Sequence, residues 1–277
     1  MAGCLYIVAT PIGNLQDLSE RAKKTLAQAD VILCEDTRRT RKLISHLGLK
    51  KQVESMHEHN EAEKITRALA WLAQGKNLAL ASDAGTPGLS DPGAKLVAAC
   101  HQAGIKVVPI PGPSALTAAL SVSGLPADQF LFLGFLPAKT AQRKKMLIQY
   151  QTFPQTIVVF EAPHRIKHTV EAILEIFGER KVCLCRELTK IFEQVQLTTL
   201  TTLNQELSAS QPKGEICLII QGAVLPNKPA ILEAELDALV DDMVRQGKPL
   251  KQIARQLASK TGFPKNLIYQ KALQRKN

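Results

Sequence analysis

Short apolar segments alternate with amphipathic segments along the first part of the chain. Between two of the apolar segments, Ile65, Leu69 and Leu72 recur at helical spacing. This alternation is typical of βαβ units and predicts a mostly parallel sheet. The predicted strands are 5–9, 31–34, 77–81 and 106–110, and the predicted helices are 15–29, 38–47, 61–74 and 93–104.

A second set of apolar segments follows residues 112–126, a connection that begins with two prolines around Gly112 and then becomes helical. The predicted strands of this set are 130–135, 156–161, 181–185, 194–200 and 215–220. Helices predicted at 140–151 and 163–177 separate the first three strands. Because the last strands follow one another with little room for crossovers, we expect a mixed sheet with antiparallel members.

The rest of the chain has a purely helical pattern after a predicted linker at 223–230, which contains two prolines and an asparagine. The predicted helices are 231–246, 249–260 and 264–275. The fold class that follows is α/β, with two α/β domains and a small C-terminal all-α domain. Their predicted limits are 1–112, 113–224 and 231–277.

The charge of the chain is concentrated near its end. The net charge is +10, and residues 243–277 contain nine basic and no acidic residues, which leaves +1 for the first 242. A near-neutral body with a basic tail favours a polyanionic partner, although a solvated basic helix is the alternative. No apolar run approaches the ~18 residues of a membrane span, no signal peptide is visible, and the six cysteines form no C-x-x-C pair. We therefore expect a cytoplasmic protein with reduced thiols.

Three predicted strands end in loops of small and polar residues, at 10–14, 82–93 and 111–115. None of them is the G-x-G-x-x-G of a dinucleotide site, and 134–140 lacks the glycine that a P-loop needs before Lys139. Ligands of parallel sheets bind beyond the carboxyl ends of the strands, so three such loops predict a shared pocket. A single loop of this kind, taken alone, is more often just a turn.

Charged clusters follow other strands. Glu35, Asp36 and Arg38 come directly after strand 31–34 and indicate either acid/base chemistry or a capped helix start. His57 and His59 form an H-x-H pair without a third ligand nearby, so we expect no metal site. The charged segments 160–165 and 185–190 end two strands of the second set, where surface salt bridges are the alternative to a functional role.

In order, the chain contains ATPIGNLQD, EDTRRT, HEHNE, SDAGTP, SDPG, PIPGPSA, GFLPAK, EAPHR and RELTK. From about Leu5 to Gln221 it resembles the ribosomal RNA small subunit methyltransferase I family, a branch of the tetrapyrrole (corrin/porphyrin) methylases. The basic tail is similar to that family's C-terminal extension. The resemblance implies a homodimer and a cofactor cleft between two α/β domains. It also implies methyl transfer from S-adenosylmethionine to the ribose 2′-hydroxyl of a cytidine in the decoding region of small-subunit ribosomal RNA.

The resemblance also implies site residues. The cofactor positions are Pro11, Ala81, Ser82, Asp83, Ser114, Ala115, Phe160, Glu161 and Leu188. A general base would assist a ribose hydroxyl, and the candidates, all left open, are Asp36, Glu35, His59 and Asp91. The cations suited to RNA phosphates are Arg38, Arg165 and Lys190, with Lys251, Arg255, Lys260 and Lys265 in the tail. No metal is required.

The spacing of Ala258, Gly262 and Ile268 fits two helices joined by a short turn, as in a helix-turn-helix. We interpret the tail as an RNA-binding module, with a helical packing or dimerisation module as the alternative. Two other functions remain open: a methylase of small tetrapyrroles, against which the basic tail speaks, and a non-catalytic RNA-binding assembly factor. The sequence does not decide whether free RNA or an assembled ribosomal particle is the substrate.

Overall fold

The structure, a computed structural model, describes residues 2–57, 60–224, 233–261 and 263–276. The chain divides into two compact units, 1–223 and 224–277. The first unit contains two five-stranded sheets, and the second contains helices. The predicted linker at 223–230 lies almost wholly outside the described residues, as do His59 and Gly262.

The first sheet is entirely parallel. Its strands are β1 (Cys4–Val8), β2 (Val31–Cys34), β3 (Gln52–Ser55), β4 (Leu78–Ala81) and β5 (Lys106–Ile110). Their order is β3-β2-β4-β1-β5. All five carboxyl ends therefore lie at one edge, where ligands of such sheets bind. Pro109 is tolerated in β5 because this strand is at the end of the sheet and leaves one side of its backbone unpaired.

Helices cover both faces of this sheet. They are α1 (Glu20–Gln28), α2 (Thr37–His46), α3 (Glu61–Ala73) and α4 (Ala94–Gln102). Adjacent residues of a strand point to opposite faces, so Leu33 packs in one core cluster with Leu72 and Leu96, and Ile32 packs in the other with Leu26. Burial on both faces explains the continuous apolar runs that made β2 and β4 predictable.

The second sheet is mixed, which confirms the sequence prediction. Its strands are β6 (Phe130–Phe135), β7 (Thr156–Glu161), β8 (Lys181–Arg186), β9 (Gln194–Thr199) and β10 (Ile216–Ile220), in the order β6-β7-β10-β8-β9. β10 runs antiparallel between β7 and β8, and β9 is antiparallel to β8. The covering helices are α5 (Ala115–Val122), α6 (Thr140–Ile148), α7 (Ile166–Phe177) and α8 (Leu200–Ala209). The predicted boundary at 112–113 falls between β5 and α5, which packs on this second sheet.

The second unit is a three-helix arrangement of α9 (Glu233–Arg245), α10 (Leu250–Thr261) and α11 (Lys265–Lys276), close to the predicted helices. Its core contains Leu236, Val240, Ile253, Leu257, Ile268 and Ala272. Asp237 of α9 pairs with Lys271 at 3.0 Å and with Arg275 at 2.8 Å. Arg275 also pairs with Asp241, so two of the nine basic residues of the tail have carboxylate partners inside the unit. None of the described helices is long and apolar enough to cross a membrane.

Three predictions of local structure are wrong. β3 was missed because its sequence, QVES, has a single apolar residue and the strand lies at the sheet edge. α8 was missed because its buried Leu200 was assigned to the preceding strand, although Leu203 and Leu207 continue a helical stripe. The helix predicted from residue 15 begins only at Glu20, after a short 3-10 turn, because the Ser19 hydroxyl caps it by accepting from the Ala22 N–H at 3.1 Å.

Candidate active site in the cleft between the sheets

A cavity of about 410 Å³ lies between the two sheets of the first unit. Loops at the carboxyl edge of the first sheet form one wall. They contribute Ile12, Glu35, Arg39, Asp83, Ala84, Gly85, Thr86, Leu89, Ser90 and Asp91. Residues of the second sheet and the start of α5 form the opposite wall. They are Ser114, Ala115, Leu116, Phe135, Phe160, Glu161, Ala162, Pro163, Cys185, Leu188, Gly214, Glu215, Ile216 and Cys217.

The loop after β4 is tied to the loop after β1. Thr10 and Gly85 exchange two backbone hydrogen bonds of 2.9 Å, and the Thr10 hydroxyl donates to the Ser82 carbonyl at 2.9 Å. The Ser82 hydroxyl in turn donates to the Gly85 carbonyl at 2.9 Å. Gly85 has φ +79°, a backbone conformation that residues with a Cβ rarely adopt. The sequence therefore uses glycine to fold this loop back against the cleft in a fixed shape.

The third predicted loop delivers the N-terminus of α5 to the cavity. Ser114 is the N-cap residue with an extended backbone, and its side chain makes no capping hydrogen bond. The first N–H groups of a helix have no partner within the helix, and here no side chain occupies them at the cap. Because Ser114 and Ala115 line the cavity, these N–H groups can bind a polar or anionic group of a ligand.

The wall from the second sheet is mainly apolar. The Phe160 ring packs edge-on against Phe132, with centroids 4.9 Å apart, and against Phe135 at 5.8 Å. Cys185 and Cys217 lie side by side on β8 and β10 and also face the cavity. Burial raises the pKa of the Cys217 thiol to about 12, so this thiol is protonated and neutral. The wall therefore offers a desolvated surface rather than a nucleophile.

Glu161 lies at the end of β7 with its carboxylate fully buried. The carboxylate accepts hydrogen bonds from the Thr169 hydroxyl at 2.5 Å and from the Ala162 N–H at 2.8 Å. The Arg165 Nε lies 3.2 Å from one carboxylate oxygen, Oε1. These contacts fix the backbone turn between β7 and α7, and the backbone of that turn borders the cavity.

Three carboxylates line the wall that the first sheet contributes: Glu35 after β2, and Asp83 and Asp91 in the loop after β4. Burial raises the pKa of Asp91 to about 6, with repulsion from Glu35 and Asp83 adding to the shift, while a hydrogen bond from Ser82 opposes it. Asp83 accepts from the Asp36 N–H at 3.1 Å and pairs with Arg39 at 3.5 Å. Asp91 is thus a carboxyl group whose pKa lies close to neutral pH.

Asp36 has a different environment. It caps α2 by accepting from the Arg38 N–H at 2.8 Å, and the Arg38 guanidinium donates to both of its oxygens, the shorter contact being 2.7 Å. These hydrogen bonds lower the pKa of Asp36 to about 2. Such a carboxylate is a weak proton acceptor at neutral pH. The alternative given for this cluster, a capped helix start, describes Asp36 in the structure.

The structure brings most of the predicted cofactor residues together. Asp83, Ser114, Ala115, Phe160, Glu161 and Leu188 line the main cavity, as do the candidate bases Glu35 and Asp91. Pro11 and Ser82 line a smaller neighbouring cavity instead. Ala81 is buried in β4 and lines neither cavity. His59 lies outside the described residues.

The predicted RNA-binding cations differ in their surroundings. Arg38 pairs with Asp36, Lys190 pairs with Glu187 at 2.8 Å, and the Arg165 guanidinium donates to the Leu136 carbonyl at 2.5 Å. In the second unit, the four predicted cations are exposed and, within the described parts of the chain, face no carboxylate in an ion pair. They are Lys251, Arg255, Lys260 and Lys265.

Sequence reasoning missed several residues of the cavity. Cys185 and Cys217 pack in the core beneath α5 and also line the cavity, and an apolar strand residue looks the same in sequence whether it faces a core or a cleft. Arg38 was predicted as a site residue, but it is the next residue, Arg39, that lines the cavity. The helical period, which places residues 39 and 43 on one face of α2, was the signal that could have separated the two arginines. Phe135 was not predicted as a site residue. Its 55% exposure at the end of β6 distinguishes it from the phenylalanines of the core.

No cluster of three or more metal-ligating side chains occurs in residues 2–57, 60–224, 233–261 and 263–276. The six cysteines form no disulfide, and Cys183 and Cys185 lie on one face of β8 with their sulfurs 3.8 Å apart.

Comparison with known proteins identifies the class of this fold. A family model described as tetrapyrrole (corrin/porphyrin) methylases matches residues 4–204. Uroporphyrin-III-C-methyltransferase from Thermus thermophilus has a TM-score of 0.54 at 23% identity, over 79% of this chain and 92% of that one. A cobalt precorrin-4 methyltransferase has a TM-score of 0.61 at 18% identity, over 79% and 94%. The two α/β halves and the cleft between them therefore have the fold of a tetrapyrrole methylase.

Full-length relatives narrow the assignment. The ribosomal RNA small subunit methyltransferase I of Synechocystis sp. is 44% identical over 273 residues, which cover 98% of this chain and 98% of the relative. The protein of the same name from Pseudomonas aeruginosa is 43% identical over 277 residues, covering 99% and 98%. The chain belongs to the ribosomal RNA small subunit methyltransferase I family.

Proposed function

We propose that this protein transfers a methyl group from S-adenosylmethionine to the ribose 2′-hydroxyl of a cytidine in the decoding region of small-subunit ribosomal RNA. The observation that carries the proposal is the composition of the cleft, which combines uncapped helix N–H groups, an apolar wall and a carboxyl group with a raised pKa. The relatives' names supply the ribosomal RNA. The cytoplasm is the proposed location, because that is where this substrate is assembled.

The cleft fits S-adenosylmethionine. The free N–H groups at the start of α5 suit a carboxylate or a hydroxyl, and Asp83 suits an amine or the hydroxyls of a ribose. The Phe160 and Leu188 side chains suit a flat, weakly polar ring. When bound, the cofactor supplies an electrophilic methyl group on a sulfonium ion. Pro11, Ala81 and Ser82 would act from the layer behind the cavity, through the backbone of the loops.

The residues of the cleft also suit the transfer. A neutral hydroxyl that attacks a sulfonium disperses positive charge, so the apolar wall favours the transition state and in-line positioning supplies much of the acceleration. Among the candidate bases, we assign proton acceptance to Asp91, because its pKa of about 6 leaves it ionised and basic near neutral pH. Asp36, with a pKa of about 2, holds Arg38 and the start of α2 instead.

The second unit supplies affinity for RNA in this proposal. Its exposed cations, Lys251, Arg255, Lys260 and Lys265, suit phosphates, whose contacts give affinity without reading the bases. The apolar core of the unit shows that it also packs as a small helical module, so the two interpretations of the tail are compatible.

We also propose the homodimer that the resemblance implies. The β9 edge of the second sheet and the loop before it expose Ile191, Phe192, Val195 and Leu197, with Ile191 95% exposed. An exposed apolar edge strand invites pairing with another chain. Sedimentation should give a dimer, and Phe192→Asp with Leu197→Asp should convert it into a monomer; an unchanged dimer would place the interface elsewhere.

One experiment tests the proposed activity. Small-subunit particles and free small-subunit ribosomal RNA, both lacking the modification, are incubated with the protein and methyl-labelled S-adenosylmethionine, and the labelled ribose is mapped. We expect label on one cytidine 2′-oxygen. A parallel incubation supplies a tetrapyrrole in place of RNA, and label on the tetrapyrrole but not on RNA would support the rival methylase. Binding of RNA without binding of S-adenosylmethionine in calorimetry would support the assembly factor.

A further inference from the structure

A small cavity of about 190 Å³ lies beside the candidate active site, against α2. We call it the α2 cavity. Arg39 and Asp83 line both cavities, so the two are neighbours. The part of its wall that the main cavity does not share contains two apolar side chains, Leu15 and Leu43, and a second cation, Lys42, together with Thr10, Pro11, Thr40 and Ser82.

The helical period explains why these side chains meet. Positions 39, 42 and 43 of α2 are three and four residues apart and therefore lie on one face of the helix. This face carries two cations beside an apolar patch. A nucleotide has matching parts, because its phosphate is anionic while its base and sugar present flat, weakly polar surfaces.

The charge balance of α2 distinguishes its cations. Arg38 is held by Asp36 at 2.7 Å, and Arg39 lies 3.5 Å from Asp83. Lys42 is exposed, and in the described ranges of the chain no carboxylate pairs with it. Lys190, another cation near the cleft, pairs with Glu187 and with Glu215. The charge of Lys42 is therefore available to a partner outside the protein.

The acidic groups are divided unequally between the two cavities. Glu35 and Asp91 line only the main cavity and would repel a phosphate there, whereas Asp83 lines both cavities and pairs with Arg39 at 3.5 Å. A strand whose ribose reaches Asp91 must therefore place its phosphates away from these carboxylates. The α2 cavity adjoins the main cavity and is lined by two cations, Lys42 and Arg39, against the single carboxylate of Asp83, so its net positive charge suits a neighbouring phosphate.

We propose that the α2 cavity binds the nucleotide next to the methylated one, with the phosphate against Lys42 and Arg39 and the sugar or base against Leu15 and Leu43. This inference rests on the proposed function, because it takes RNA as the substrate. With this cavity, the first unit contacts the RNA directly and does not depend on the second unit alone. A phosphate contact fixes position without reading sequence, so the α2 cavity sets which ribose reaches Asp91.

The test compares Lys42→Ala with Lys145→Ala in the full-length protein. Lys145 is an exposed lysine on α6, at the second sheet, and serves as the matched control. The probe is a fluorescein-labelled fragment of small-subunit ribosomal RNA that contains the target cytidine, titrated at several salt concentrations. Loss of one phosphate contact lowers the slope of log K against log salt by about 0.7–0.9, which weakens binding about five- to eightfold at ~0.1 M salt.

We expect this loss of RNA affinity for Lys42→Ala but not for Lys145→Ala. Lys42→Arg should keep its affinity for RNA, and all three variants should keep the dissociation constant for S-adenosylmethionine. In methylation assays the KM for RNA should rise, while the KM for S-adenosylmethionine stays constant. Equal RNA binding by both alanine variants would overturn the inference. Weaker binding of the particle but not of the RNA fragment would also overturn it and indicate a ribosomal protein as the contact. If the unsubstituted protein binds the fragment but methylates neither free small-subunit ribosomal RNA nor the assembled particle, the proposed function fails while the binding comparison still decides the role of the α2 cavity.

Discussion

Replacement of Asp91 by asparagine tests the assigned chemistry most directly. Asparagine keeps the shape of the side chain, but its amide cannot take a proton near neutral pH. A general base contributes about 10²–10⁴ to the rate. We therefore expect Asp91→Asn to lower kcat by a factor in that range, while calorimetry shows little change in the affinity for S-adenosylmethionine.

The pH profile of the unsubstituted protein gives a second magnitude. With a pKa of about 6, about a tenth of Asp91 is ionised at about pH 5 and about nine tenths at about pH 7. The rate should therefore rise about tenfold across this interval. A carboxyl group with the ordinary aspartate pKa of 3.8 would change its ionised fraction by less than about a tenth over the same range.

Glu35→Gln separates the two carboxylates. Glu35 contributes to the raised pKa of Asp91 by repulsion, after burial. Its neutralisation should move the acid limb of the profile to lower pH and leave the rate at about pH 7 nearly unchanged. If Glu35→Gln loses activity while Asp91→Asn keeps it, the proton acceptor is Glu35 and not Asp91. A flat profile below neutral pH would refute the assignment of a base with a raised pKa.

Stability provides a readout that a structural role for Asp91 would not share. The pKa is raised in the folded protein, so between about pH 4 and 6 the folded state binds more protons than the unfolded chain, and stability falls as pH rises through this window. Asp91→Asn removes this loss. Its melting temperature near neutral pH should be equal to or above that of the unsubstituted protein, whereas a structural aspartate would leave it lower.

Three further changes to the chain test other parts of the structure. Deletion of 231–277 should reduce the slope of log K against log salt for RNA binding by about 0.7–0.9 per lost phosphate contact. The affinity for S-adenosylmethionine, measured by calorimetry, should not change. A large loss of cofactor affinity would show that the tail has a structural role instead. Gly13→Ala would place a Cβ 2.4 Å from Lys190 Cγ, 2.8 Å from Thr189 Oγ1 and 3.0 Å from the Leu188 carbonyl. Such overpacking should cost about 1–3 kcal/mol in urea unfolding; an unchanged unfolding midpoint would show that these neighbours move aside. Glu161→Ala removes the ion-pair partner of Arg165 and should lower the free energy of unfolding in urea by about 3–5 kcal/mol. Glu161→Gln should lower it less, because the glutamine side chain can still accept the hydrogen bond from Thr169. Equal losses in the two variants would contradict the role given to the carboxylate.

The loops of the cleft were predictable because their chemistry is local. Gly85 adopts a positive φ and Ser114 starts a helix after two prolines, and residues of these types indicate such backbone wherever they occur. The strands β2 and β4 were predictable for the same kind of reason, since burial on both faces requires a continuous apolar run.

The second wall of the cleft was not predictable in the same way. Cys217 faces the cavity because β10 inserts between β7 and β8, and strand order depends on pairings between distant segments. The pKa of Asp91 has the same origin, because burial and a neighbour from a different loop, Glu35, determine it. Edge strand β3 was missed since it buries too little to need an apolar sequence.

The position of β10 has a consequence for biosynthesis. This strand is the last of its sheet along the chain, yet it lies in the middle, so β6 with β7 and β8 with β9 remain two separate pairs until it arrives. Ile216 and Cys217 then complete the wall of the cleft. A nascent chain therefore cannot form a working cleft until residue 220 has left the ribosome on which it is made.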